Sequence, residues 1–118
     1  MASLSVRIDL GPEFRIGPGK IELLEKIAAF GSISAAGRAM DMSYRRAWEL
    51  VEDLNRTFES PVVSAQTGGK RGGGAVLTPF GLSLVARYRA IESAATQAAA
   101  VHLDALKSAL AAKSRAAE

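Results

Sequence analysis

Between Gly31 and Asn55 the chain holds two helix-length segments with almost nothing between them, and the first is built on Ala35, Ala36, Gly37 and Ala39. Side chains that small constrain the fold. Two helices joined by a tight turn cross steeply, and their axes come close only where the contact residues lack bulk. The first helix is expected over roughly 34–40, with Ser32 or Ser34 accepting from its free amides, and Asp41 and Met42 make the turn. Ser43 stands at the N-cap of the second helix, which then places Ala47, Leu50, Val51, Leu54 and Phe58 at steps of +3, +4, +7 and +11 from Ala47. That spacing is one continuous apolar stripe. Together these features imply a helix-turn-helix, whose second helix enters the major groove of DNA.

Upstream, Leu4 to Leu10 alternates apolar and polar residues, the period of a half-buried strand. Gly11-Pro12 punctuates it, and Phe14-Arg15-Ile16 is expected as a short return strand. Gly17-Pro18-Gly19 breaks regular structure before a helix that runs from Lys20, with Ile21, Leu24, Ile27, Ala28 and Phe30 close to one face. Lys20, Glu22, Glu25 and Lys26 are expected on its solvated side, and Gly31 supplies the left-handed stop.

Downstream, residues 62–67 have strand-like content, Gly68 to Gly74 form a glycine-rich loop around Lys70 and Arg71, and Ala75-Val76-Leu77 returns. A hairpin with a basic tip in this position is a wing. Thr78 caps a last helix with Pro79 at its first position. Leu84, Tyr88, Ile91, Ala95, Ala99, Leu103, Leu106 and Leu110 follow in steps of three and four. From Pro79 to about Lys113 such a helix spans roughly 50 Å at 1.5 Å per residue, too long to bury its stripe against so small a domain. One solution is a partner helix from a second copy in a two-fold dimer. The other is an alanine-rich tail that frays after about Gln97. The expected architecture is therefore mainly α with a small β component. A winged helix-turn-helix spans residues 3–92, and a long dimerisation helix, residues 79–113, continues from it.

Composition narrows the function. One chain of 118 residues with 48% hydrophobic but only 6% aromatic residues should build one modest, aliphatic core. The net charge of +3 is a mild bias toward polyanions. With no cysteine, disulfides and thiolate chemistry are excluded. The single histidine, His102, lies in an alanine-rich helical stretch and suits a surface or interface position. No Ser/His/Asp set or grouped carboxylates can be assembled, so neither an enzyme nor a metal or other cofactor is expected. There is no apolar run of about 18 residues and no basic-then-apolar leader, so a cytoplasmic protein without a membrane partner is expected.

The charged residues that matter cluster in the binding unit. Tyr44, Arg45, Arg46 and Glu49 point away from the stripe, at the start of the second helix of the pair, where base edges and phosphates are reached. Arg45 and Arg46 are the candidates for base or phosphate contact, since an arginine can bond guanine O6 and N7 together. Ser43 serves the fold as a cap, and its amide is available to the DNA backbone. Trp48 is one residue off the stripe; it either packs under the wing or against the N-terminal strand, or places its ring at the DNA surface. Lys70 and Arg71 at the wing tip suit the phosphate backbone or the minor groove, and Arg38 suits either a phosphate or plain solvent. Glu52 and Asp53 are expected to face away from DNA. The glycines do not form a nucleotide-binding loop, because no Gly-x-x-x-x-Gly-Lys-Ser/Thr pattern joins a strand to a helix. The expected partners are double-stranded DNA and a second copy of the chain, on an inverted-repeat operator. The competing reading is a winged-helix module for protein–protein interaction.

Gly31-Ser-Ile-Ser-Ala-Ala, Met42-Ser-Tyr-Arg-Arg-Ala-Trp48 and Thr67-Gly-Gly-Lys-Arg-Gly-Gly-Gly-Ala-Val-Leu-Thr78 resemble the N-terminal DNA-binding domain of the ModE family of molybdenum-responsive transcriptional regulators. The resemblance runs from about Leu4 to Ile91. A LysR-type winged helix shares only the general layout with these motifs. The resemblance implies a winged helix-turn-helix whose long C-terminal helix helps it dimerise. In full-length members, separate C-terminal domains bind molybdate and control operator binding. This sequence stops at Glu118, so no oxyanion sensing is carried over to it. The expectation is a short, DNA-binding-only member, or one whose sensor is a separate oxyanion-sensing protein.

Overall fold

A computed structural model describes residues 3–66 and 74–111. The chain order is β1 (Ile8–Asp9), β2 (Arg15–Ile16), α1 (Pro18–Phe30), α2 (Ile33–Ala39), α3 (Tyr44–Thr57), β3 (Val63–Gln66), β4 (Gly74–Leu77) and α4 (Pro79–Ser108). The described residues are mainly helical, with two separate two-stranded antiparallel sheets, β1–β2 and β3–β4. The segment expected as a wing tip, with Lys70 and Arg71, lies outside the described residues.

Helix α1 is the centre of the molecule. It begins at Pro18, two residues before the expected start, because proline at the first helical position has no amide to leave unpaired and its fixed φ suits the helix. Its end is as expected: Gly31 takes φ 74° and donates its N–H to the Ile27 carbonyl. Its packing is not. Leu23 is fully buried beside Ile21, Leu24 and Ile27, while Ala28 and Phe30 are exposed. A helix covered by α2 and α4 together with β2 and β4 needs more than one apolar face, which a single-stripe reading cannot supply.

Helices α2 and α3 follow with their caps in place. Ser32 Oγ accepts from the Ala35 amide at 3.0 Å and Ser43 Oγ from the Arg46 amide at 3.0 Å. Between them Asp41 adopts φ 56°, and the Met42 amide donates back to the Gly37 carbonyl at 3.0 Å. A β-carbon on Gly37 would lie 3.1 Å from that of Ala47, so the small residues of α2 are what let α3 cross it. From the α3 stripe, Ala47, Val51 and Leu54 are buried and Leu50 and Phe58 are half-buried.

The β3–β4 hairpin is tied to both ends of this helical pair. Its register runs from Val63↔Leu77 to Gln66↔Gly74, and the Ala75 amide donates to the Gly31 carbonyl at 3.0 Å. At its base Thr78 donates its hydroxyl to the Pro61 carbonyl at 2.7 Å and accepts from the Gly81 amide at 2.9 Å, capping α4. The N-terminal alternation also holds: odd residues from Ser3 to Asp9 are exposed and even ones half-buried, although only Ile8–Asp9 pair as a strand. Tyr88 of α4 fastens that segment, donating its hydroxyl to the Val6 carbonyl at 2.5 Å. Beside it Arg89 grips Glu25 of α1 through two hydrogen bonds, 3.1 and 2.7 Å.

Beyond Tyr88, α4 leaves the body, giving extents of 56 × 29 × 23 Å. It does not fray near Gln97. It remains helical to Ser108, five residues short of the expected end, and closes where the Ala109 amide reaches the Ala105 and Leu106 carbonyls in a tightened last turn. Ile91 and Leu106 are 45% and 68% exposed, and His102 is also exposed. No helix among the described residues is long and apolar enough to cross a membrane.

Candidate nucleic-acid interface

An α-helix turns about 100° per residue, and this divides α3 into four sides. Ala47, Val51 and Leu54 face the core. Tyr44, Trp48 and Asn55 lie on the flank toward β3–β4, where they line a concavity of about 410 Å³ with Ser32, Ser34 and Gly74. Arg46 and Leu50 lie on the opposite flank, lining a second concavity of about 530 Å³ with residues of the N-terminal hairpin. Arg45, Glu49 and Arg56 are left on the outward side.

The N-terminal turn of α3 is the open part of this arrangement. Ser43 is small and is consumed by the cap, so nothing bulky covers the helix start. Arg45 has a side chain 87% exposed and meets Glu49 only at 3.9 Å, one turn on. Tyr44 is 58% exposed, and Arg46 is exposed as well. The first turn carries no acid, so both arginines add to the positive end of the helix dipole. Farther along, charge changes sign: Glu52 lines the same concavity as Tyr44 and Trp48, and Asp53 pairs with Arg56. Approach of a polyanion is therefore favoured at the start of α3 and opposed toward its end.

Trp48 stands on the β3–β4 flank of α3, the side away from the N-terminal hairpin, and remains 45% exposed. Arg38 is exposed in the last turn of α2, where its guanidinium donates to Ser34 Oγ at 2.7 Å. Tyr44, Trp48 and Ser34 thus share one groove, with Arg45 outside it and Arg46 behind the helix from it.

One positioning residue was not expected from the sequence. Asn55 Oδ1 accepts from the amides of Val62 and Val63 at 2.7 and 3.1 Å, and its Nδ2 donates to the Val63 carbonyl at 3.2 Å. It sets the angle between α3 and the hairpin, and so the shape of the groove. Its only signal in the sequence was a polar residue on the edge of an apolar stripe, just ahead of a strand.

No protein-family model matches the chain. Individual proteins do. It is 51% identical over 79 residues to the molybdenum-pterin-binding protein MopB of Rhodobacter capsulatus, covering 67% of this chain and 29% of that protein. With MopA of the same organism, also a molybdenum-pterin-binding protein, it shares 42% over 101 residues, 86% of this chain and 37% of the relative. With the DNA-binding transcriptional dual regulator ModE of Escherichia coli (strain K12) it shares 38% over 87 residues, 74% of this chain and 33% of that one. The chain spans about a third of the length of the curated relatives it matches. Its relatives are therefore ModE regulators and the MopA and MopB proteins, and a likeness of this extent supports the ModE family.

Proposed function

We propose that this chain is the DNA-binding part of a ModE-type transcriptional regulator, a winged helix-turn-helix in which α3 is the recognition helix and β3–β4 the wing. The observation that carries the reading is the uncovered, cationic first turn of α3, with Tyr44, Arg45 and Arg46 all exposed and no acid among them. The similarity to a DNA-binding regulator over 74% of the chain supports it. A protein–protein module would have no need to keep two exposed arginines at a helix N-terminus beside a groove of aromatic and hydroxyl groups.

In this mechanism the N-terminus of α3 enters the major groove. Arg45, on the outward side, reads a base edge, and Tyr44 donates its hydroxyl to a phosphate or rests on a sugar. Trp48 lies along the groove wall, and Ser43 holds the helix start while its amide meets the backbone. Glu49 orients Arg45 and discourages wrong registers by its own charge. Lys70 and Arg71 at the wing tip and Arg38 on α2 add phosphate contacts. Two copies join through the apolar stripe of α4, which from Ile91 to Leu106 offers about 23 Å of seam beyond the body. The pair then meets an inverted repeat with half-sites one helical turn apart. Any molybdate response belongs to a separate sensing domain or protein.

The sole tryptophan gives a direct test. Titrating the protein with duplex DNA should quench or shift Trp48 emission in step with binding followed by anisotropy of labelled DNA. Binding with no change in emission would remove Trp48 and its groove from the interface.

A further inference from the structure

We infer that the N-terminal β1–β2 hairpin is a second phosphate-binding flank, gripping the DNA backbone on the side of α3 opposite the wing. The inference rests on the DNA-binding reading above and adds Arg7, Arg15 and Lys20, which that reading does not use.

The hairpin register pairs Ile8 with Ile16 and Asp9 with Arg15. Because strand side chains alternate, Ile8 and Ile16 face the body, where Ile16 is buried, while Arg7, Asp9 and Arg15 share the outer face. Arg7 and Arg15 line the concavity of about 530 Å³ that also takes in Lys20 and Arg46. Four cationic residues therefore border one shallow surface running from the hairpin onto the flank of the recognition helix. Lys20 is held there by its Nζ, which donates to the Arg15 carbonyl at 2.9 Å. Arg46 has no ion-pair partner among the described residues.

The one acid within this set sits between two of the cations. Asp9 Oδ1 lies 3.4 Å from Arg7 Nε and 3.5 Å from Arg15 Nε, with all three side chains more than half exposed. A guanidinium carries five N–H donors, so one carboxylate shared between two of them leaves donors on each for another acceptor. Exposed pairs of this kind contribute little to stability, so exchanging or sharing Asp9 with a phosphate has little cost. An outer face with two arginines and one aspartate, next to Arg46 on α3, fits a row of phosphates better than an acidic protein surface. Phosphate spacing follows the groove that α3 occupies, and such contacts carry no base information.

The test measures affinity for a random-sequence duplex at several salt concentrations, using the full chain and the Arg7→Gln, Arg15→Gln double variant. Arg87→Ala with Lys107→Ala on α4 serves as a control of equal charge change. The hairpin variant should bind more weakly, with a salt slope shallower by about 0.9 for each phosphate it no longer neutralises, while the control keeps the original slope. An unchanged slope in the hairpin variant, or an equal change in the control, overturns the inference while leaving the DNA-binding reading intact. If the unaltered protein binds no duplex, the DNA-binding reading fails first. Thermal unfolding of the hairpin variant should match that of the parent, which separates weaker phosphate binding from a damaged fold.

Discussion

Asn55 holds Val63 by both sides of its backbone, accepting from the Val63 amide at 3.1 Å and donating to the Val63 carbonyl at 3.2 Å. With the further bond from the Val62 amide, one side chain joins the last turns of α3 to the first residue of β3. Replacing it by alanine leaves two amides and a carbonyl unpaired next to buried Val62 and Val63. Asn55→Ala should destabilise the fold by about 1–3 kcal/mol, read from chemical denaturation. Asn55→Asp retains the acceptor and should lose less. Equal stability of Asn55→Ala and the parent would show that the clamp is replaced by water.

Stability should fall at both pH extremes, through two different groups. The Arg89 guanidinium, bonded to Glu25, holds that carboxyl below its usual 4.5. A depressed carboxylate contributes stability above the unfolded value, and that contribution is lost as pH drops through the folded one. Both side chains are more than a third exposed, so screening limits the effect to less than about 1 kcal/mol. Burial raises the Tyr88 phenol above 10.0, so its contribution is present below that pH and is lost as pH rises through the folded value. Glu25→Gln should flatten the stability curve below pH 4.5, and Tyr88→Phe should flatten it above pH 10.0. Unfolding curves across pH check both signs.

The α4 stripe makes a prediction about assembly. Leu106 is 68% exposed and Leu103 half-buried on a helix that has left the body. Leu103→Glu with Leu106→Glu should convert a dimer to a monomer in sedimentation equilibrium without unfolding the core. Operator affinity should fall with it, because the two half-sites are then bound independently. A parent protein that sediments as a monomer contradicts this part of the proposal.

Arg45 and Arg46 should separate by the kind of binding they support. Arg45 points outward from α3, whereas Arg46 lies on the hairpin flank. Arg45→Ala should cost about 1–3 kcal/mol of discrimination between preferred and random duplex, and Arg46→Ala should weaken both about equally. Competition binding with the two duplexes distinguishes these outcomes, and the reverse pattern would exchange the two roles.

What could be read in the sequence was local. As caps and stops, Ser32, Ser43, Thr78 and Gly31 bond within four residues of their own position, each ending or starting a helix where its chemistry requires. The α3 stripe and the small residues of α2 are likewise short-range patterns. What was missed depends on partners distant in sequence. Leu23 is buried because α1 is covered on several sides, and Glu25, expected free in solvent, is ion-paired because Arg89, 64 residues away, reaches it. Asn55 has meaning only once β3 lies beside α3. Trp48 was open between two packings and the DNA surface; its flank became clear only when the two hairpins took opposite sides of the helix. The basic outer face of β1–β2 was hidden by the same rule, since Arg7 and Arg15 are brought together by strand pairing.

The most direct measurement is selection from a randomised duplex library by this chain at moderate salt, followed by sequencing of what is retained. The expected result is enrichment of an inverted repeat with half-sites about 10 base pairs apart, lost in the Arg45→Ala variant. Folded protein that retains DNA with no enriched sequence, or retains none, would contradict a sequence-specific regulator.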